Sequence, residues 1–317
     1  MSLSVVIPNY NGSRTVCDTL DSVYEQIPAG THVLIVDDHS SDNSIDLIEA
    51  NFPLAEIYRG PINLGAAASR NRGISLTHAD WLIFVDADVC LGPRCFTALL
   101  SAADQADIIF PTIRYPNGEI MYPVGKSQEL YLLISPIFLI RRDALLRLDQ
   151  PCFDETYRVY CEDTDFFLRA YLAGLKSLYV PEAEAIHNVN LQAGNREDRY
   201  FLEVRNSLYG AVKFAGAPSI DCLDHAFKLT TILRVLACGL FNFNLFDMQA
   251  RGFRKHGGFS YNLRLLLRAP VRITQRNRVF LVFLSLKAFA WNLRHLSQAI
   301  RSRRKMLESL TMHGPAV

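Results

Sequence analysis

The 317-residue sequence has no uncharged apolar run long enough to cross a bilayer. A spanning helix needs ~20 largely uncharged residues. The apolar stretch Leu229–Phe246 is interrupted by Arg234, Asn242 and Asn244. The sequence also has no Cys-x-x-Cys pair, and its seven cysteines (Cys17, Cys90, Cys95, Cys152, Cys161, Cys222, Cys238) are odd in number and widely spaced. That pattern argues against a disulfide framework or a zinc site and fits reduced thiols in a cytosolic compartment. There is no internal repeat and no low-complexity tract, and the first residues lead directly into a strand pattern, so no signal peptide is expected. Acidic side chains are scarce at one end. Residues 199–317 carry 5 acidic and 19 basic residues, a net of +14, whereas residues 1–198 carry 27 acidic and 14 basic, a net of −13. A chain that totals only +1 therefore has two parts suited to different neighbours. The basic part suits nucleic acid, an anionic membrane or an anionic lipid.

What is present centres on Leu82-Ile83-Phe84-Val85-Asp86-Ala87-Asp88-Val89. A short apolar run of this kind reads as a strand buried on both faces of a parallel sheet. Its two acids then stand at the carboxyl edge, where open α/β sheets bind ligands. Two carboxylates so close repel one another unless a cation lies between them. A solvated turn is the bland alternative for an isolated Asp-x-Asp. A second strand, Val33–Val36, also runs into acids at Asp37-Asp38. On parallel neighbours both pairs open onto the same edge.

Leu3–Pro8 predicts the first strand, followed by turn chemistry at Asn9–Ser13 and a helix carrying Val16, Leu20, Val23, Tyr24 and Ile27. Further helices are expected around Ile45–Ile48, from Asn63-Leu64-Gly65 through about Leu76, and from about Pro93 to Ala103, with a third strand at Ile57-Tyr58. This alternation argues for a mainly parallel central sheet flanked by helices. After residue 105 the pattern changes: a strand at Ile108–Phe110, a hairpin around Pro116-Asn117-Gly118, a strand at Ile137–Ile140, a helix headed by Cys161–Asp165, and strands at Leu178–Val180 and after Glu184. From residue 199 the chain reads as helical. Val279, Val282, Phe283, Leu286, Phe289, Ala290, Leu293, Leu296 and Ile300 form an apolar stripe flanked by Lys287, Arg294 and Arg301. It suits a basic amphipathic helix on a membrane surface, a helical subdomain packed on itself, or a contact between subunits. The expected division is residues 1–214 and a C-terminal helical region, 215–317.

The acids, the turn and the small-residue segment together suit sugar transfer from a nucleotide diphosphate sugar. Asp88, with Asp86, would hold a divalent cation and the sugar-nucleotide against the charge of a leaving diphosphate. Asp38 can accept from a base edge, Tyr10 can stack on the base, and Arg70 can meet the diphosphate. Close helix–sheet packing is the structural reading of Ala66-Ala67-Ala68. Glu162 and Asp163 open a helix, where an acid is favoured by the dipole, yet with Asp165 they exceed what a cap requires, so one is a candidate general base. His187 is a candidate third metal ligand.

Ser4–Gly12, Val36–Asp42, Ala68–Gly73, Phe84–Asp88, Phe138–Asp143, Phe153–Glu155 and Cys161–Asp165 resemble, in order and approximate spacing, the family 2 glycosyltransferases. The resemblance covers residues 3–188 and implies a GT-A nucleotide-diphospho-sugar transferase fold, α/β, with an inverting single displacement. It implies that Asp88 binds Mg or Mn, that Asp86 binds the sugar-nucleotide, that Asp38 and the Pro8–Tyr10 turn hold the nucleobase, and that Asp163 is the base. His187 followed by Arg205-Asn206 is similar to a rhamnosyltransferase-like branch, which places His187 near the diphosphate and adds Arg205 to the donor contacts. Ser135-Pro136 stand where the family usually has glycines. The expected activity moves a hexose or deoxyhexose from a nucleotide-diphosphate sugar to a glycan or polyprenyl-diphosphate-linked hydroxyl in cell-surface polysaccharide or glycolipid synthesis. Its setting is the cytoplasm, peripheral on the membrane face, with no nucleic acid partner and with an oligomer left open. Two other readings stand beside it. A sugar nucleotidyltransferase would need a glycine-rich basic loop near the N-terminus, where only Asn9–Arg14 is found. The other is a scaffold that binds nucleotide sugars without chemistry.

Overall fold

A computed structural model describes residues 2–122, 136–188, 196–215 and 277–313. Leu229–Phe246 and Ser135 lie outside the described residues. Packing divides the chain into two compact units: Met1–Leu191 with Arg304–Val317, and Gln192–Arg303. The boundary expected at 214/215 falls inside the second unit.

The first unit alternates as the sequence pattern predicts: β1 (Leu3–Asn9), α1 (Val16–Tyr24), β2 (His32–Asp37), α2 (Ser44–Asn51), β3 (Glu56–Arg59), α3 (Ala66–Leu76) and β4 (Trp81–Val85). These strands pair in parallel in the order β3-β2-β1-β4. The later elements are β5 (Val89–Leu91), α4 (Cys95–Ser101), β6 (Ile108–Arg114), β7 (Ile120–Tyr122), β8 (Ile137–Arg141), α5 (Arg142–Leu145), α6 (Glu162–Leu172) and β9 (Ser177–His187). They extend the sheet as β4-β8-β6-β9-β5, with β7 hairpinned onto β6. Antiparallel pairs enter here: β8 lies antiparallel to β4 and to β6, and β5 antiparallel to β9. The two strand signals at Leu178–Val180 and after Glu184 belong to one strand, with an irregularity in its pairing to β6 between Pro111 and Thr112.

Period-two alternation buries both faces of this sheet. Val5, Ile7, Val33, Ile35, Ile83 and Val85 face α1, α2 and α4. Val6, Leu34, Val36, Leu82 and Phe84 face α3, α5 and α6. The small residues of α3 serve close packing: Ala67 is fully buried, and a Cβ on Gly73 would collide with Val6. The sheet thus brings the ends of β1, β2 and β4 to one edge, with the start of α3 above it.

In the second unit, α7 (Arg196–Lys213) packs on α8 (Asn277–Arg294) through Val204, Leu284 and Ala288. A further helix, α9, runs over Leu296–His313, and the division between the units falls within it, at Arg303/Arg304. Part of the predicted stripe faces outward: Phe283, Leu286, Phe289 and Leu293 are each more than half exposed. The contact to α7 uses Leu284 and Ala288 instead, positions that the stripe did not include. No helix among the described residues is long and apolar enough to cross a membrane.

Candidate active site

Asp86 and Asp88 follow β4 directly. The register of β5 against β9 pairs Val89 with His187, and the Asn188 N–H donates to the Asp88 carbonyl at 2.7 Å. This pairing carries His187 across about a hundred residues of chain to the acids. Its Nε2 lies 3.1 Å from Asp88 Oδ1, and ligand atoms of Asp86, Asp88 and His187 all fall within 4.8 Å of one another. Among the described residues, the imidazole Nδ1 is buried with no hydrogen-bond partner. Two carboxylates and an imidazole with an unsatisfied nitrogen fit a divalent cation such as Mg or Mn. Asp86, placed with the donor contacts by its sequence, joins this group.

Arg70 lies on α3, 3% exposed. Its Nη2 donates to Asp86 Oδ1 and its Nη1 to Glu162 Oε1, both at 2.8 Å, and the Phe153 ring covers the guanidinium at 5.6 Å. Burial alone works against its charge, but Asp86 and Glu162 outweigh that and raise its pKa above the ordinary arginine value. Burial pushes the Asp86 and Glu162 carboxyls up, with Arg70 opposing in both cases. Where the sequence suggested a side chain reaching for a diphosphate, the structure shows one engaged inward by two carboxylates.

The three acids of α6 separate by environment. Asp165 is fully buried and paired with Arg169 at 2.7 Å, a core ion pair within one helical turn. Glu162 is 5% exposed and held by Arg70. Asp163 is half-buried, accepts the Thr164 N–H at 2.7 Å, and lies close enough to Arg70 to act on its charge. Of the three it is the one with solvent access. The loop that delivers it is unusual, because Arg158, Tyr160 and Cys161 all have positive φ near 65°. Asn71 braces this segment: its Nδ2 donates to the Phe153 carbonyl at 2.8 Å and its Oδ1 accepts the Phe153 N–H at 2.9 Å. Sequence reading left Asn71 among the small residues of its stretch. Its place beside Arg70 was the available signal.

The β2 end is organised differently. Asp38 is 7% exposed, and its two oxygens accept the N–H groups of Leu64 and Gly65, each at 2.7 Å. Asp37 accepts from Asn9 Nδ2 at 3.0 Å, and the same amide reaches Ser44 Oγ at 3.0 Å. A cavity of about 250 Å3 lies beside Asp38, lined by Tyr58, Gly60, Ile62, Leu64, Ala68 and Arg72 among others. Pro8, near the end of β1, is half-buried, and Tyr10 just beyond the strand is 55% exposed, with its ring open to a stacking partner. Arg205 lies on α7, in the second unit. It is 8% exposed under the Trp291 ring at 4.7 Å, with Nε donating to Asn206. Burial raises the Cys95 thiol to about 12 and shifts Cys152 the same way, away from the reactive thiolate.

Comparison with known proteins places the chain among glycosyltransferase relatives. A curated Haemophilus influenzae protein described as an uncharacterized glycosyltransferase is 36% identical over 126 residues, 40% of each chain. The Erwinia amylovora amylovoran biosynthesis glycosyltransferase AmsB is 28% identical over 62% of this chain and 72% of its own. The Mycobacterium tuberculosis N-acetylglucosaminyl-diphospho-decaprenol L-rhamnosyltransferase is 27% identical over 49% and 66%. The matched part is thus well under two thirds of the Haemophilus protein's length. In fold, the chain is similar to S. aureus TarS in complex with UDP, at TM-score 0.56 and 19% identity over 100% of this chain and 93% of that one. It is equally similar to a Pyrobaculum calidifontis mannosyltransferase with GDP-Man and Mn2+, at TM-score 0.56 and 16% identity over 90% and 86%. Residues 4–165, about half the chain, match the glycosyl transferase family 2, and the chain, with its GT-A-like sheet, belongs to that family.

Proposed function

We propose that the chain is an inverting, metal-dependent glycosyltransferase that moves a sugar from a nucleotide-diphosphate sugar to a hydroxyl of a glycan or lipid-linked acceptor in cell-surface polysaccharide or glycolipid synthesis. The observation that carries this reading is the division of labour among the acids. Asp86, Asp88 and His187 form a cation-sized group, and Asp163 is the acid of α6 that keeps solvent access. A cation bound there would offset the charge that builds on the leaving diphosphate. Asp163 takes the acceptor hydroxyl proton as the oxygen attacks the anomeric carbon. The bond from that carbon to the phosphate oxygen breaks, and the nucleoside diphosphate leaves with its electron pair. One displacement inverts the centre. Tyr10 and Pro8 meet the nucleobase, and Asp38 shapes the wall beside it. Arg205 is kept as a donor contact only by family likeness.

Asp163→Asn tests the assignment. Transfer should fall by roughly a hundredfold or more, while donor affinity by calorimetry stays near wild type. Near-normal turnover would remove Asp163 from the mechanism. A thermal-shift panel of nucleotide sugars with Mn or Mg should single out the donor, since a tight ligand raises apparent stability by mass action.

The setting we infer is peripheral, on the cytoplasmic face of a membrane. Phe283, Leu286, Phe289 and Leu293 form an exposed apolar face on α8, with Lys287 and Arg294 exposed on the same helix. Such a face suits an anionic lipid surface. The protein should sediment with anionic liposomes at low salt and release at high salt. No sedimentation at any salt would dismiss the idea.

A further inference from the structure

Arg70 joins two residues of the proposed site that lie 76 residues apart in sequence, Asp86 after β4 and Glu162 at the head of α6. Its planar fork gives one amino group to each carboxylate. Among the described residues, Glu162 Oε2 and Arg70 Nε are buried with no hydrogen-bond partner, so that oxygen has no other donor among them to turn to if Arg70 moves. Swinging Arg70 toward a ligand would strand the buried Glu162 carboxylate, a costly outcome. Asn71, the next residue on α3, clamps the backbone of Phe153, whose ring covers the guanidinium and stacks on Phe166 of α6 at 4.4 Å. Every contact of this side chain thus holds the cation group and the base-bearing turn in one arrangement.

The geometry points to Arg70 as a positioning residue that ties the cation group to the first turn of α6, with Glu162 as the far end of the tie. This rests on reading Asp86, Asp88 and His187 as cation ligands and Asp163 as the base. The physical argument is one of charge and orientation. Arg70 fixes the direction of the Asp86 carboxylate but draws on its negative charge. Glu162 returns that charge from the other side, which leaves Asp86 able to attract a cation. Glu162 therefore sets cation affinity although it is not in the cation group.

The test is Mn2+ titration followed by electron paramagnetic resonance on the full chain, without donor or acceptor. Outer-shell partners of ligands commonly set affinity by about 10–100-fold. Glu162→Gln, which keeps the shape of the side chain, should weaken Mn2+ binding severalfold. Arg70→Lys should weaken it by about tenfold. The double variant should bind no worse than Arg70→Lys, because both changes cut the same tie. In turnover, Glu162→Gln should lower kcat with little change in the donor KM. If Arg70→Lys does not fold, the Glu162→Gln titration decides alone. Wild-type Mn2+ affinity in Glu162→Gln, with binding abolished in Asp88→Asn, overturns the tie and leaves the cation group standing. A wild-type chain that binds no Mn2+ overturns both.

Discussion

The ends of β2 and β4 carry the same sequence device, an apolar strand that runs into paired acids, and the fold uses them in opposite ways. At β2 every Asp38 oxygen receives a backbone N–H, and Asp37 is held by Asn9 and the Ser40 N–H. At β4 the acids are short of donors among the described residues: Asp86 has one guanidinium, and Asp88 has the imidazole of His187. The first pair is braced and shapes a wall. The second keeps unspent negative charge, which is what a cation needs. Paired acids at a strand end therefore say where a site is, and the donors supplied by neighbouring elements say what each acid does there.

Paired substitutions sharpen this contrast. Asp88→Asn should remove a stabilisation worth several kcal/mol at the transition state, so transfer should drop on the order of a thousandfold while Tm stays level or rises as like-charge repulsion is relieved. Asp38→Asn should do the reverse in stability: an amide cannot accept both N–H groups, and the loss should be roughly 3 kcal/mol, read as a lower denaturation midpoint. An Asp38→Asn chain with wild-type stability and no donor binding would break the contrast, because Asp38 would then be a ligand group and not a brace. Gly65→Ala comes next. Gly65 has φ +95°, and a Cβ there would collide with Arg158, so about 2 kcal/mol should be lost. Equal stability would show that the start of α3 and the loop before α6 are not packed as described.

The smallest effect concerns Asp42, which caps the turn by accepting the N–H of Ser13 at 2.9 Å and Ser44 Oγ at 2.6 Å. Burial alone would raise its carboxyl, but these bonds win and hold it below the usual carboxylate range. Its contribution is therefore present above the ordinary aspartate pKa and fades as pH falls through the depressed value. It should be less than about 1 kcal/mol, because water screens the group. The Tm gap between wild type and Asp42→Ala should close at acid pH. A gap that persists there would separate the effect from the carboxylate's charge.

Much of the fold was legible because its signals are local. Val5, Val6, Ile7 and Val33–Val36 are apolar on both parities, which only a strand covered on both faces explains, and the turn and helix signals between them leave a parallel arrangement as the simple solution. The buried face of α8 was less legible. Leu284 and Ala288 pack on α7 while larger residues of the stripe face outward, because which side of a helix is covered depends on the partner and not on its own periodicity.

By itself the sequence determined the strands, the helices, the family motifs and the list of acids at the sheet edge, since these follow from spacing and residue type along the chain. Only the tertiary structure decided which donors reach each acid. Arg70 turns inward to Asp86 and Glu162, Asp165 is spent on Arg169, Asp38 is filled by backbone N–H groups, and His187 is brought to Asp88 by strand register. The physical reason is that a carboxylate's role is set by its burial and by the donors that reach it, and those donors come from parts of the chain that meet only when it folds.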